Sequence, residues 1–399
     1  MCNITSRLSR EGSVRSPSQL EALDIIDKGP HLELSLLFRD PKPYPIEEAF
    51  MQFVRVNKQY YCGVDLHADV MYVCVMTKGG RAVFHHELPT DFSRLLQHLK
   101  PYLSSIAVCA ESTFNWYWLA DGCAQHNIPF FLGHALYMKL IHGGKTKNDR
   151  IDAKVMADLL RTGFFPPAYP YPEKMRATRD LLRRRSHFTQ QHAETLRHIK
   201  TLLYQQGYMD LPSVHNFDAE RISETFSGYK LPDDAAYSLQ ADLDMIRYLD
   251  TVTAKLEWRI EKNARGHDNH ALALLKSVKG LGTILSLTLL YEIHTIERFK
   301  SPQCFSSYAR VVKVERSSHG KKLGSKNSKI GNPYLRWAFG QLAVSAQRFY
   351  PGVKEYTQKL IRKYGNAKAY TLLAHKFAVA VYYMLKNKTA FDVTRFVAA

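Results

Sequence analysis

Four carboxylates occupy positions where acids need a reason. Asp65 closes an apolar run in CGVDLH, and Glu111 closes another in AVCAES. An ionised carboxylate is costly inside a core, so acids in such places belong at the rim of a sheet. Asp149 and Asp152 are three apart in KNDRIDAK, a spacing that puts both on one face of a helix. Brought together, the four would repel one another unless cations held them. Mg²⁺ prefers carboxylate oxygens while keeping part of its water. Two such ions about 4 Å apart activate a nucleophile and steady a leaving oxygen in phosphoryl transfer. Taken singly the acids have ordinary readings: Asp149 as an N-cap or first-turn dipole partner, Asp65 as a turn residue. Their order along the chain favours the set over its parts.

A second cluster lies in VERSSHGKKLGSKNSKIGN, where Ser317 and Ser318 stand among Lys313, Arg316, Lys321, Lys322, Lys326 and Lys329, with Glu315 the one acid. Glycines there let backbone approach closely, and the cations suit phosphate. A serine hydroxyl is a poor nucleophile without an assisting base or charge. Composition alone favours a solvated Lys/Ser loop. Lys279, Gly280 and Gly282, in SVKGLG before an apolar helix, fit a helix-hairpin-helix turn that offers N–H groups to a phosphate. An ordinary helical turn is the plain alternative. Arg183, Arg184 and Arg185 sit among leucines on a basic amphipathic helix. Trp116, Tyr117 and Trp118 could stack on bases, but beside Leu119 they read more simply as helix core.

The elements that must position these residues follow from periodicity. Tyr61 to Asp65, Val70 to Met76 and Ala82 to Glu87 read as three strands joined by tight turns. Phe92 to Leu103 has helical spacing, Ser105 to Glu111 is a buried strand, Trp116 to His126 a helix, Ile128 to Leu132 a strand and Asp149 to Arg161 an amphipathic helix. A meander followed by alternating helices and strands is the order of a ribonuclease-H-like α/β fold. Lys174 to Gly207 is a long helix, Leu211 to Pro232 a Pro/Gly-broken linker, and Leu239 to Ile260 a second helical stretch, together a helical hairpin or coiled-coil arm.

The chain has 399 residues and a formal charge of +18, from 55 Lys+Arg against 37 Asp+Glu. Such a balance favours a polyanion, with nucleic acid the default and a ribosomal or anionic-membrane role the bland alternative. With no run of about 18 apolar residues, no membrane span is expected. The start lacks a signal-peptide core, and Cys2, Cys62, Cys74, Cys109, Cys123 and Cys304 form no CxxC pair, so free thiols in a reducing cytoplasm are expected.

The motifs GVDLH, ESTFNWYWLADG and KTKNDRIDAKVMADLLRTG resemble the DEDD-type transposases of insertion sequences (the IS-one-ten family, with the Piv-type DNA invertases), as do SVKGLGTILSLTLLYEI and SSHGKKLGSKNSKIGNPYLRWAF in the C-terminal half. The resemblance covers roughly residues 60–392 and departs at Phe114, where many relatives have glycine. It implies an α/β RuvC-like DEDD domain over 57–165; the segment over 1–56 has no counterpart in the family and reads, from its polar and Pro-spaced composition, as a disordered extension, with a small docking element the alternative. A helical coiled-coil-like connector over 166–268 and a mainly α C-terminal domain with helix-hairpin-helix and serine loop over 269–399 follow. It further implies a recombinase that cuts and rejoins DNA with Mg²⁺ or Mn²⁺ on Asp65, Glu111, Asp149 and Asp152 and with Ser318, or the adjacent Ser317, as nucleophile. The implied partners are donor and target DNA, a structured guide RNA and further copies of the chain in a dimer or tetramer, in a nucleoid-associated cytoplasmic setting. A RuvC-like junction-resolving nuclease and a non-catalytic nucleic-acid-binding protein are the rival readings.

Overall fold

The computed structural model describes residues 53–141, 149–214, 218–312 and 330–398, with the backbone at 317–318 and 321–322. They divide into a unit that ends at Asp180 and a unit that begins at Leu181.

The first unit is built on a five-stranded sheet of order β3-β2-β1-β4-β5. Strands β1 (Tyr60–Leu66), β2 (Val70–Thr77) and β3 (Ala82–Pro89) form an antiparallel meander. Gly80, at φ +88°, makes the second turn. β4 (Ile106–Glu111) then lies parallel to β1, and β5 (Phe130–Gly133) parallel to β4. Parallel neighbours need crossovers, which α1 (Phe92–Leu99) and α2 (Tyr117–Gln125) supply. Their Leu95, Leu99, Leu119 and Cys123 pack with Val64, Val73 and Val108 on one face of the sheet. On the other, α4 (Asp149–Thr162) sets Met156 and Leu160 against Tyr61 and Cys109. Cover on both faces explains why β1 and β4 read as continuous apolar runs.

Two details differ from the sequence expectation. The helix from Phe92 stops at Leu99, and Lys100–Ser105, with Pro101 at its start, continues as a 3-10 helix because proline has no N–H to give an α-turn. A short helix, α3 (Ala135–Ile141), follows β5.

The second unit is helical among its described residues, apart from one two-residue hairpin. It receives the long helix α5 (Glu173–Gln205) from Leu181 onward. The stretch expected as a linker contains a helix, α6 (Ala219–Phe226): Asp218 caps it by accepting from the Arg221 N–H, and Ala219, Ile222 and Phe226 are buried against Leu196, Ile199, Leu203, Leu243 and Ile246. Helix α7 (Asp233–Ala264) runs antiparallel to α5. Arg185 pairs with Glu257 at 2.8 Å, His192 with Asp250 at 3.4 Å and His198 with Asp242 at 2.6 Å, so the partner number falls as the α5 number rises. Helices α8 (Asn269–Lys276), α9 (Thr283–Ile293), α10 (Pro302–Tyr308), α11 (Pro333–Ser345), α12 (Pro351–Tyr364), α13 (Asn366–Asn387) and α14 (Val393–Ala398) complete it. α13 packs on α10, α11 and α12, burying Phe305, Phe339 and Phe377. A mixed N-terminal sheet followed by a mainly helical region is compatible with the RuvC-like order.

Candidate metal centre and serine segment

The close seat of α4 on β1 depends on one residue. A Cβ on Gly63 would lie 2.1 Å from the Ala153 carbonyl oxygen and 2.6 Å from the Ala157 nitrogen, so only glycine lets the two backbones meet. That seat brings the first turn of α4, with Asp149 and Asp152, to the end of β1 where Asp65 stands. Glu111 ends the parallel neighbour β4.

Asp65 is buried, and its carboxyl is pushed up to about 6. Burial is the main cause. His67 opposes it, while Asp152, Asp149 and Glu111 raise it further, so the other three expected acids all act on Asp65. The sequence reading gave no role to His67. Its Nε2 lies 3.4 Å from Asp65 Oδ2 and 3.4 Å from Asp149 Oδ2. Ligand atoms of Asp65, His67 and Asp149 all fall within 4.8 Å of one another. The clue was available: residues two apart along a strand share a face, and His67 follows Asp65 by two.

Backbone anchors hold this turn. The His67 N–H donates to the Val70 carbonyl at 3.0 Å. The His67 carbonyl accepts from Asn115 Nδ2 at 2.7 Å and from Thr90 Oγ1 at 3.2 Å. The Ser112 N–H donates to the Gly133 carbonyl at 3.0 Å. Thus the loop after Glu111 clasps the turn after Asp65.

The arrangement suits a divalent cation. The His67 Nε2 is shielded from solvent and makes no aligned hydrogen bond, although two carboxylates flank it. The buried Asp65 feels the charge of three further, half-buried acids. A dication would relieve both conditions, with carboxylate oxygens as its principal ligands.

The aromatic run is core. Trp116 is buried, and the Arg176 guanidinium lies 4.6 Å from its ring centroid and 4.8 Å from that of Tyr117, while Nη1 bonds Asp121 at 2.7 Å. Phe114, by contrast, is 79% exposed.

The arginine trio divides. Arg183 donates through Nε and Nη2 to the buried Glu292, at 2.7 and 3.0 Å. Arg185 pairs with Glu257. Arg184 is exposed and lies over Phe188, 4.5 Å from its ring centroid. In the α8–α9 turn the Lys279 N–H is given to the Tyr350 hydroxyl at 2.8 Å, and the Gly280 carbonyl accepts from Ser345 Oγ at 2.8 Å. Gly280, at φ +109°, sits where a Cβ would be 2.9 Å from the Ala346 nitrogen. The Lys279 side chain is exposed, and the space around Gly282 is open.

Ser317–Ser318 forms a short strand, β6, antiparallel to β7 (Lys321–Lys322), with Ser317 opposite Lys322 and Ser318 opposite Lys321. Lys326, Lys329 and the expected extension up to residue 52 lie outside the described residues.

Residues 62–207 match the DEDD transposase family of the IS110 type, described as Transposase. Residues 272–358 match the family described as Transposase IS116/IS110/IS902. Together the matches span more than half of the chain; the first contains the four acids and the second both serines. No curated protein matches the chain.

Proposed function

The chain belongs to the DEDD transposases of the IS110 type, and from that premise we propose that it cuts and rejoins DNA with a metal-bound acidic site and a serine nucleophile. One observation carries the metal half: Glu111, Asp149 and Asp152 all act on the buried Asp65, and His67 lies within ligand distance of Asp65 and Asp149. Asp65, Asp149 and their neighbours Glu111 and Asp152 would hold Mg²⁺ or Mn²⁺. When bound, such ions activate a nucleophile and stabilise a leaving oxygen. The protein's own part is to hold the carboxylates in place, through the Gly63 contact and the Asn115–His67 hydrogen bond.

Ser318, with Ser317 beside it, supplies the attacking hydroxyl in this reading. Attack replaces one phosphodiester bond by a serine–phosphate ester, so the bond energy is kept for rejoining. The backbone register that sets Ser317 opposite Lys322 and Ser318 opposite Lys321 supports it. A structured RNA encoded by the same element would choose the DNA, and several copies of the chain would hold the ends.

Asp65→Asn, Glu111→Gln, Asp149→Asn and Asp152→Asn, near-isosteric and uncharged, are each expected to abolish strand transfer while sparing the fold. Recombination at the wild-type level by two or more of them would refute the metal site. Ser318→Ala is expected to eliminate a phosphoserine adduct trapped on DNA yet leave binding intact. Loss only in Ser317→Ala would move the nucleophile by one residue. An adduct that survives in the double variant would refute the serine step, whereas free ends with no adduct in the wild-type chain would favour a RuvC-like nuclease, for which the acidic site alone suffices.

A further inference from the structure

Val311 and Gly331 flank the segment that holds Ser317 and Ser318, and the contacts at Gly331 make its neck. Gly331 has φ +94°, and a Cβ there would lie 2.6 Å from the Tyr308 carbonyl oxygen and 2.7 Å from Arg310 Cγ. The Asn332 N–H donates to that same Tyr308 carbonyl at 2.6 Å, closing the neck. Asn332 is buried and works in two directions. Its Oδ1 accepts from the N–H groups of Tyr334 and Leu335, at 2.9 and 3.1 Å, and so caps α11. Its Nδ2 donates to Glu292 Oε2 at 2.7 Å.

Glu292, on α9, is 1% exposed. Besides Asn332, its carboxylate receives both arms of the Arg183 fork from α5. The Arg183 guanidinium also lies 4.6 Å from the ring centroid of Tyr334, in the first turn of α11. Arg298 donates to the Glu292 carbonyl at 3.1 Å and stacks over Tyr308 of the neck. Charge-assisted bidentate bonds fix geometry tightly. A buried ion pair is a poor source of net stability compared with an apolar set of the same shape, so its use here needs another reason. The reason available is its place: it joins α5 and α9 to the point where the serine segment returns.

We propose that Arg183, Glu292 and Asn332 form a positioning clamp that fixes the neck of the Ser317–Ser318 segment to α5 and so aims the serine at its phosphate. The clamp rests on the serine reading above. It also withdraws Arg183 from direct phosphate contact and makes it a positioning residue.

The test uses the full chain, a supercoiled plasmid carrying the DNA that flanks the gene, the transcript of the adjacent non-coding strand, and Mg²⁺. It reads adduct formation in a single turnover separately from DNA affinity. Asn332→Asp keeps an oxygen to cap α11 but sets a carboxylate against Glu292. The adduct rate is expected to fall roughly 100-fold, the scale of misplacing a reacting group by about 1 Å, with affinity unchanged. Adding Glu292→Gln to Asn332→Asp restores a donor–acceptor pair in reverse while giving up one arm of the Arg183 fork, and is expected to recover part of the rate. A wild-type rate in Asn332→Asp overturns the clamp. So does a loss of rate that follows affinity and melting temperature together and is not recovered in the double variant. Should Asn332→Asp fail to fold, Arg183→Lys keeps the charge and removes the fork; a wild-type rate there overturns the clamp equally. An absence of adduct in the wild-type chain overturns the serine reading and the clamp with it, which separates that failure from the others.

Discussion

Asp65 is the residue on which the acidic site presses hardest. Its folded pKa of about 6 stands above the ordinary 3.8, so the stability it contributes is complete below about 3.8 and is lost as pH rises through about 6. At neutral pH the metal-free chain therefore carries an ionised, destabilising cluster. Asp65→Asn is expected to raise the metal-free melting temperature at pH 7.5, and Mg²⁺ to raise that of the wild type much more than that of the variant. Melts at pH 5 and 7.5, with and without Mg²⁺, decide this; an equal Mg²⁺ shift in both chains would remove Asp65 from the site. Lys376 poses the opposite case. It is buried between Tyr356 and Phe396, 4.1 and 5.2 Å from their ring centroids, and its Nζ has no hydrogen-bond acceptor. Burial lowers its pKa to about 8. The unfolded chain then binds more protons between about 8 and the ordinary 10.5, so stability rises with pH across that window. Lys376→Met is expected to raise the melting temperature at pH 7, by an amount that shrinks toward pH 10.5. A lower melting temperature at pH 7 would mean that the two aromatic contacts outweigh desolvation.

Among the elements, the β1–α4 contact has the least tolerance. Gly63→Ala places a methyl group into the backbone of α4, where nothing flexible can yield. A cost of about 3 kcal/mol is expected, the upper part of the range for overpacking. Because the same contact seats Asp149 and Asp152, Mg²⁺ stabilisation should fall with it, which denaturant unfolding with and without Mg²⁺ would read. A fully retained Mg²⁺ effect would mean that α4 is positioned by other contacts. The strands around this site were legible in the sequence because their alternation and apolar runs are local, and the acids mark their ends. His67 stands in plain view two residues after Asp65, but a lone histidine past a strand end has many ordinary uses, and only the approach of Asp149 from α4 gives it a role. Helix α6 was hidden by the glycines and prolines near it: tertiary burial of Ile222 and Phe226 outweighs weak local propensity. The fate of the arginine trio was not legible at all, because Glu292 lies 109 residues from Arg183 in the chain.

At the scale of the molecule, the 55 Lys+Arg behind the surplus of +18 overstate the cations free to meet a polyanion. Arg161, Arg176, Arg183, Arg185 and Arg247 are all engaged with acids of the chain. Binding to DNA and RNA is still expected to weaken steeply with salt. Arg184→Ala should reduce the slope of log affinity against log salt by about 1, as for one phosphate contact. Arg185→Ala should leave the slope unchanged while lowering the melting temperature. A salt series on both variants separates them, and a flat response in the wild type would detach the charge surplus from nucleic acid altogether. No helix among the described residues is long and apolar enough to cross a membrane.

The cysteines supply a clock for the sheet. Cys62, Cys74, Cys109 and Cys123 are buried, and burial pushes the Cys74 thiol up to about 11, the Cys123 thiol up to about 12 and those of Cys62 and Cys109 well above the usual range. An alkylating reagent can reach these sulfurs only while the surrounding structure has opened, so their labelling rate counts opening events. Cys304, partly exposed in the helical unit, reacts on its own schedule and serves as the internal reference. Two time constants from one mass-spectrometric series would therefore report how often the sheet that carries Asp65 and Glu111 breathes, without any engineered probe.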